Sequence, residues 1–269
     1  TLGLISFTEG NWVEARRQLL SGVQNNEAPL VNYLLAAQSS AKLHDTDKVP
    51  EYLHAAGEAE PTAAVAIEMM QAEMKLQASE YKQALALLAQ AKSNVPRHPY
   101  VLSLLSQAYQ GLNDWDALLE LLPQLRKHKQ LSSEAFQRLE KQVHHNILQR
   151  CNADLDRLHA IWKKVPKPLQ SDVGIAEIYV RNLIKCEDYD SAERVILRAL
   201  KQAWQPALVR EYGYLKGQNA SRQLSQAEKW LQAHPDDPQL LLCLGRLSAR
   251  NQVWSKSRLY FESSYRVEH

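Results

Sequence analysis

The sequence predicts an all-α fold built from repeated helix pairs, and three observations predict it. The stretch "EGNWVEARRQLL" at 9–20 returns in altered form as "SEYKQALALL", "NDWDALLELL" and "EDYDSAERVIL". Within each copy, apolar residues recur at spacings of three and four, as in Leu85, Leu88, Ala91 and Leu118, Leu119, Leu122, the period of an amphipathic helix. Strand signals are missing: β-branched alternation is scarce, and no Asn-Gly hairpin dipeptide separates two apolar runs.

Aligned on the aromatic-x-x-Ala element, the copies share one ruler, in which a small residue is followed by small or apolar positions 12, 16 and 19 further on. The first unit reads Gly3, Ala15, Leu19, Gly22 and the second Ala37, Val49, Leu53, Ala56. The third reads Ala72, Ala84, Leu88, Ala91 and the fourth Ser106, Leu118, Leu122, Leu125. The ruler returns as Val180, Ala192, Ile196, Ala199 and as Gly245, Ser257, Phe261, Ser264. Small residues at the first two positions let two helix backbones approach closely, where a large side chain would overpack the contact. The aromatics Trp12, Tyr81, Trp115, Tyr189 and Trp254 stand three residues before the second small position and are expected to wedge into the turn between helices. Pro61 and Pro96 are expected to end the second helix of their units, because proline lacks a donor and restricts the preceding residue. A helix-turn-helix unit of about 34 residues is the tetratricopeptide pattern, so the expected architecture is a right-handed superhelical solenoid with divergent middle repeats.

Two stretches leave the ruler. Residues 132–170 are helical by pattern, with Phe136, Leu139, Val143, Ile147 on one face and Leu155, Leu158, Ile161, Trp162 on another, but polar residues fill the small positions. In 206–234, "YGYLKGQN" carries two glycines and an Asn that shorten or break the first helix. The expected organisation is a regular array over 1–131 with a truncated first repeat, a divergent pair over 132–170, and a second array over 171–269.

The 269 residues include 32 basic and 30 acidic side chains, and this balance gives no general pull toward nucleic acid or anionic lipid. The runs "RKHK" (126–129) and "KKVPK" (163–167) read as solvated helix ends. Cys151, Cys186 and Cys243 are odd in number and far apart, which argues against a disulfide framework or a structural zinc. No GxG and no GxxxxGK[ST] occurs, so no nucleotide cofactor is expected. His144 and His145 are adjacent on a helix and point to different faces, and HExxH is absent, so no metal is expected. Nothing resembles a nucleophile elbow, and catalytic residues are not expected.

A solenoid offers instead a concave surface lined by first helices. The ruler places Gln38, Glu73, Gln107, Arg181, Lys185, Arg246 and Arg250 toward that face as a protein-binding groove. Its positive part lies in the carboxyl half, relieved only by Glu177, and an acidic or carboxylate-bearing partner is its natural complement.

Beyond the generic repeat, "PLVNYLLAAQSSAK", "PRHPYVLSLLSQAYQGLNDWDALLELLPQLRKHKQLS", "LHAIWKKVPKPLQSD" and "AEKWLQAHPDDPQLLLCLGRLSARNQVWSKSRLYFESS" resemble the soluble region of the HemY family, the tetratricopeptide proteins of bacterial haem biosynthesis. The similarity runs almost end to end and includes the divergent 132–170 segment. "WSKS" at 254–257 departs from the family, which typically has Gly and Ala after the Trp. The resemblance implies a bacterial inner-membrane protein whose helical array faces the cytoplasm and assists a late step of protohaem IX synthesis. It implies two membrane-spanning helices before the point where this chain begins, and further repeats beyond its end. The implied partners are late haem-biosynthesis enzymes, docked without nucleic acid. No family catalytic residues are carried over. The alternatives are a protein that itself binds a porphyrin or haem, and an envelope-biogenesis scaffold without a haem role.

Overall fold

The computed structural model describes residues 2–23, 29–129, 131–151 and 154–268, and over these the chain is all-helical. It divides into two compact units, Thr1–Phe136 and Gln137–His269. The first holds α1 (Leu2–Thr8), α2 (Trp12–Ser21), α3 (Leu30–Lys42), α4 (Lys48–Ala59), α5 (Ala64–Gln77), α6 (Tyr81–Asn94), α7 (Pro99–Leu112) and α8 (Trp115–His128). The division falls inside α9 (Ser133–Gln149). The second unit continues with α10 (Leu155–Lys164), α11 (Lys167–Gln170), α12 (Val173–Lys185), α13 (Tyr189–Gln202), α14 (Pro206–Tyr212), α15 (Ala220–Leu231), α16 (Pro238–Arg250) and α17 (Trp254–Glu268).

The ruler positions form the contacts between paired helices. All are buried except Gly22, Val49, Ala199 and Phe261. Where the ruler uses glycine, the reason is visible: a Cβ on Gly3 would lie 2.8 Å from Leu19, and one on Gly245 would lie 2.6 Å from the Phe261 ring. The pairs run antiparallel. In the last pair, Ser257 near the start of α17 donates to the Gly245 carbonyl and Ser264 near its end donates to the Pro238 carbonyl, each at 2.9 Å. These two hydroxyls explain how serine serves at a small position, since each finds an acceptor on the facing backbone.

The turn inside each pair has one geometry. Gly10, His44, Ser79, Asn113, Glu187 and Gln252 all lie at positive φ, and each stands seven residues after the first small position of its unit. At Asn113 the amide donates to the Gln110 carbonyl while the following Asp114 amide reaches back to Tyr109. Equivalent bonds recur at the other five turns. This is the Schellman motif, which satisfies two carbonyls that a helix end leaves open and reverses the chain. The residue before the aromatic then starts the second helix: the side chains of Asn11, Asp114 and Asp188 accept from the amides of Glu14, Ala117 and Ser191. Such a cap contributes about 1 kcal/mol, and it accounts for the Asn or Asp that precedes Trp12, Trp115 and Tyr189.

The aromatics do not act uniformly. Trp12 meets Phe7 of its own pair edge-on at 5.2 Å, as a turn wedge would. Tyr81 instead lies against Gly111 near the end of the next pair's first helix, α7. Trp115 is buried, whereas Trp254 is 67% exposed on α17.

In the second unit the divergent segment is fastened to α12 by polar and aromatic contacts in place of small residues. Asn182 donates to the Leu148 carbonyl at 2.8 Å, Trp162 stacks on Tyr179 at 3.9 Å, and His159 bridges the Tyr179 hydroxyl (2.9 Å) and Asp188 (3.1 Å). The glycine-bearing "YGYLKGQN" leaves α14 at seven residues. Gly213 there comes so close to α16 that a Cβ would stand 3.0 Å from the Cys243 backbone.

Candidate functional site

Among the described residues, an open cleft in each unit gathers some of the groove residues expected from the ruler. In the first unit, Glu73 of α5 and Gln107 of α7 line a cleft of about 390 Å³ together with Tyr81, Tyr100 and Gln110. The Tyr100 hydroxyl donates to Glu73 at 3.0 Å, and burial with this carboxylate beside it pushes the phenol up to about 12. Gln38 is half-buried on α3 and does not line this cleft.

In the second unit, Arg181 and Lys185 of α12 line a cleft of about 670 Å³. Tyr189 opens α13, Arg210 and Glu211 come from α14, and Tyr214 and Lys216 come from the loop that follows. Ile184 and Glu187 complete the lining, and the predicted groove residues Arg246 and Arg250 of α16 are not part of it. The Arg246 guanidinium lies 4.1 Å from the centre of the Tyr214 ring, a cation–π contact that holds the phenol at the cleft wall. Arg250 donates to the side-chain oxygen of Gln223.

The charge balance corrects the expectation that Glu177 alone relieves the basic face. The Glu211 carboxylate, 8% exposed, accepts from Arg181 Nε at 2.9 Å, and Glu177 accepts from Arg181 at 2.6 Å and from Arg210 at 2.9 Å. Two arginines therefore share two carboxylates, and the bond to Glu211 holds the Arg181 guanidinium more firmly cationic than usual. Lys185, Lys216, Arg246 and Arg250 have no carboxylate within ion-pair distance among the described residues. Arg246 Nη1 and Arg250 Nε are moreover buried without any hydrogen-bond acceptor, and burial lowers the Arg250 pKa. A buried guanidinium that faces no anion is costly to keep. The lining of the cleft itself sets Arg181, Lys185, Arg210 and Lys216 against Glu187 and Glu211.

Sequence reasoning missed Arg210, Glu211, Tyr214 and Lys216, because they lie in the irregular unit where the ruler has no register. The dense "REYGYLK", an arginine, a lysine and two tyrosines around a glycine, was the available signal.

His144 is 1% exposed, and desolvation holds its pKa down to about 4. Among the described residues the three cysteines are unpaired, no group of His, Cys, Asp and Glu has the make-up of a metal site, and no helix is long and apolar enough to cross a membrane.

No protein-family model matches the chain. Protein HemY of Escherichia coli strain K12 is 25% identical to it over 263 residues, which cover 97% of this chain and 66% of that protein. Protein HemY of Escherichia coli O157:H7 and of Shigella flexneri match with the same identity and coverage. The chain thus spans 66% of the length of the curated relatives it matches. Over nearly its whole length, divergent segment included, the chain is similar to Protein HemY, in keeping with the resemblance carried by its quoted segments.

Proposed function

We propose that the chain is the tetratricopeptide-type solenoid of a non-catalytic scaffold that docks proteins during a late step of protohaem IX biosynthesis. The observation that carries this reading is the sixfold recurrence of one helix pair, marked by the small-residue ruler and the positive-φ turn, which leaves open clefts on first helices. Similarity to Protein HemY supports the haem connection. The reading places the protein at the bacterial inner membrane with this region on the cytoplasmic side, where confinement raises the effective concentration of membrane-associated partners and modest affinities suffice.

The test is affinity capture of the protein from membranes, followed by mass spectrometry of what remains bound. Enrichment of late haem-pathway enzymes over a control membrane protein is the expected result, and the isolated chain should be colourless and inactive on porphyrinogens. No specific partner, or a tight haem complex with a shifted Soret band, would favour a porphyrin-binding protein instead.

A further inference from the structure

We infer that the outer face of α17 is a homodimer contact, in which a second copy of this chain lays its own α17 antiparallel across the first. The inference goes beyond the scaffold reading and does not depend on it. Among the described residues α17 packs on α16 through Ser257 and Ser264, and its opposite side is bare. Trp254 is 67% exposed and Leu259 62%, and Phe261, Tyr265 and Val267 are exposed with them. The same place in an inner pair is covered: Trp115, which opens α8 as Trp254 opens α17, is 5% exposed, and Tyr81 is seated against the next pair at Gly111. Fully uncovered aromatic side chains offer roughly 150–250 Å² each, so α17 presents on the order of 500 Å² of apolar surface. Contiguous patches of that size are a mark of association surfaces.

The charges on that face identify the partner. Trp254, Arg258, Glu262 and Arg266 stand four residues apart, one row along the helix with about 6 Å between members. Within one copy Arg258 donates to Glu262 at 2.7 Å, at the surface. Set in reverse against a second copy, the row is its own complement: Trp254 meets Arg266 of the second copy in a cation–π contact, and Arg258 meets Glu262, each twice by symmetry. Helices packed through such rows of four cross at about 50°, which brings the two rows alongside each other. Phe261 and Tyr265 flank the row on one side and Leu259 and Val267 on the other, so the ion pairs are screened from water where charge-assisted bonds are stronger. A contact that uses the same patch on both copies closes at two. A partner of one charge sign would match only part of the row.

Sedimentation equilibrium of the 269-residue chain should show a dimer at about 100 μM that dissociates at about 1 μM, as a contact smaller than the standard ~800 Å² per partner implies. Arg258→Glu and Glu262→Arg, each on its own, set like charges opposite one another in the homodimer and should weaken it about tenfold while far-UV helicity holds. Mixed in equal amounts, the two variants should recover dimerisation like that of the parent, because each glutamate of one then faces an arginine of the other. Leu259→Ser should weaken association about tenfold, whereas Arg17→Glu on α2 should leave it unchanged. A chain that stays monomeric throughout that concentration range overturns the inference. So does a mixture of the two folded charge variants that fails to recover the dimer. Growth beyond the dimer that Ile5→Glu abolishes overturns it in favour of a head-to-tail contact with the exposed face of α1, where Leu2, Leu4 and Ile5 are uncovered.

Discussion

The ring of Tyr81 lies flat enough against Gly111 that a Cβ on that glycine would sit 2.3 Å from it, which makes this glycine the seat for an aromatic belonging to the preceding helix pair. The contact joins α6 to α7, so it couples one pair to the next. Gly111→Ala should therefore destabilise the chain by roughly 1–3 kcal/mol despite alanine's better helix propensity. Tyr81→Ala in the same chain should remove most of that penalty, because the steric conflict goes with the ring. Thermal melts of the two single variants and the double variant check this; additive losses would show that the ring is not the cause.

Positive φ at Ser79 (60°) makes the opposite forecast possible. A side chain in the left-handed region is strained, whereas glycine tolerates it. Ser79→Gly should stabilise by about 0.5–1 kcal/mol, and Ser79→Val should destabilise, since a β-branched side chain suits that region least. Chemical denaturation midpoints at constant m-value are the measurement.

The burial of His144 sets a pH dependence. Its pKa is held at about 4 in the folded chain by desolvation, against about 6.5 when unfolded. Below pH 6.5 the unfolded chain takes up a proton that the folded chain refuses, so stability falls as pH drops from about 6.5 toward 4 and levels off below. Between pH 7 and pH 5 the loss should be on the order of 2 kcal/mol. His144→Phe, similar in shape and without a proton to bind, should flatten that part of the stability curve; an unchanged slope would assign the effect to other groups.

How far the sequence reveals the molecule depends on whether a feature lies on the ruler. The helix pairs and their buried seams were legible because close backbone approach admits few residue types: Ala15, Ala37, Ala72, Ala84 and Ala192 are all fully buried. The reversing turns were not, since five of the six positive-φ positions hold His, Ser, Asn, Glu or Gln, and the hydrogen bonds that stabilise them are made by backbone. The shortness of α14 was legible from Gly213 and Gly217. Its contribution to the cleft was not, because Arg210 and Glu211 stand on this short helix outside the ruler and Tyr214 and Lys216 follow in a loop whose path no periodicity describes.

Arg250 carries a charge that its surroundings do not compensate. It is half-buried, and among the described residues its Nε has no acceptor and its side-chain hydrogen-bond partner is the neutral amide of Gln223. Evolution toward stability alone would replace such a residue by an apolar one of similar length, because desolvating an unpaired guanidinium costs more than burying a thioether. Arg250→Met should therefore raise stability by about 1 kcal/mol, read as a higher melting temperature. A variant that melts lower would show that its aliphatic stem and the Gln223 contact outweigh the cost of its charge.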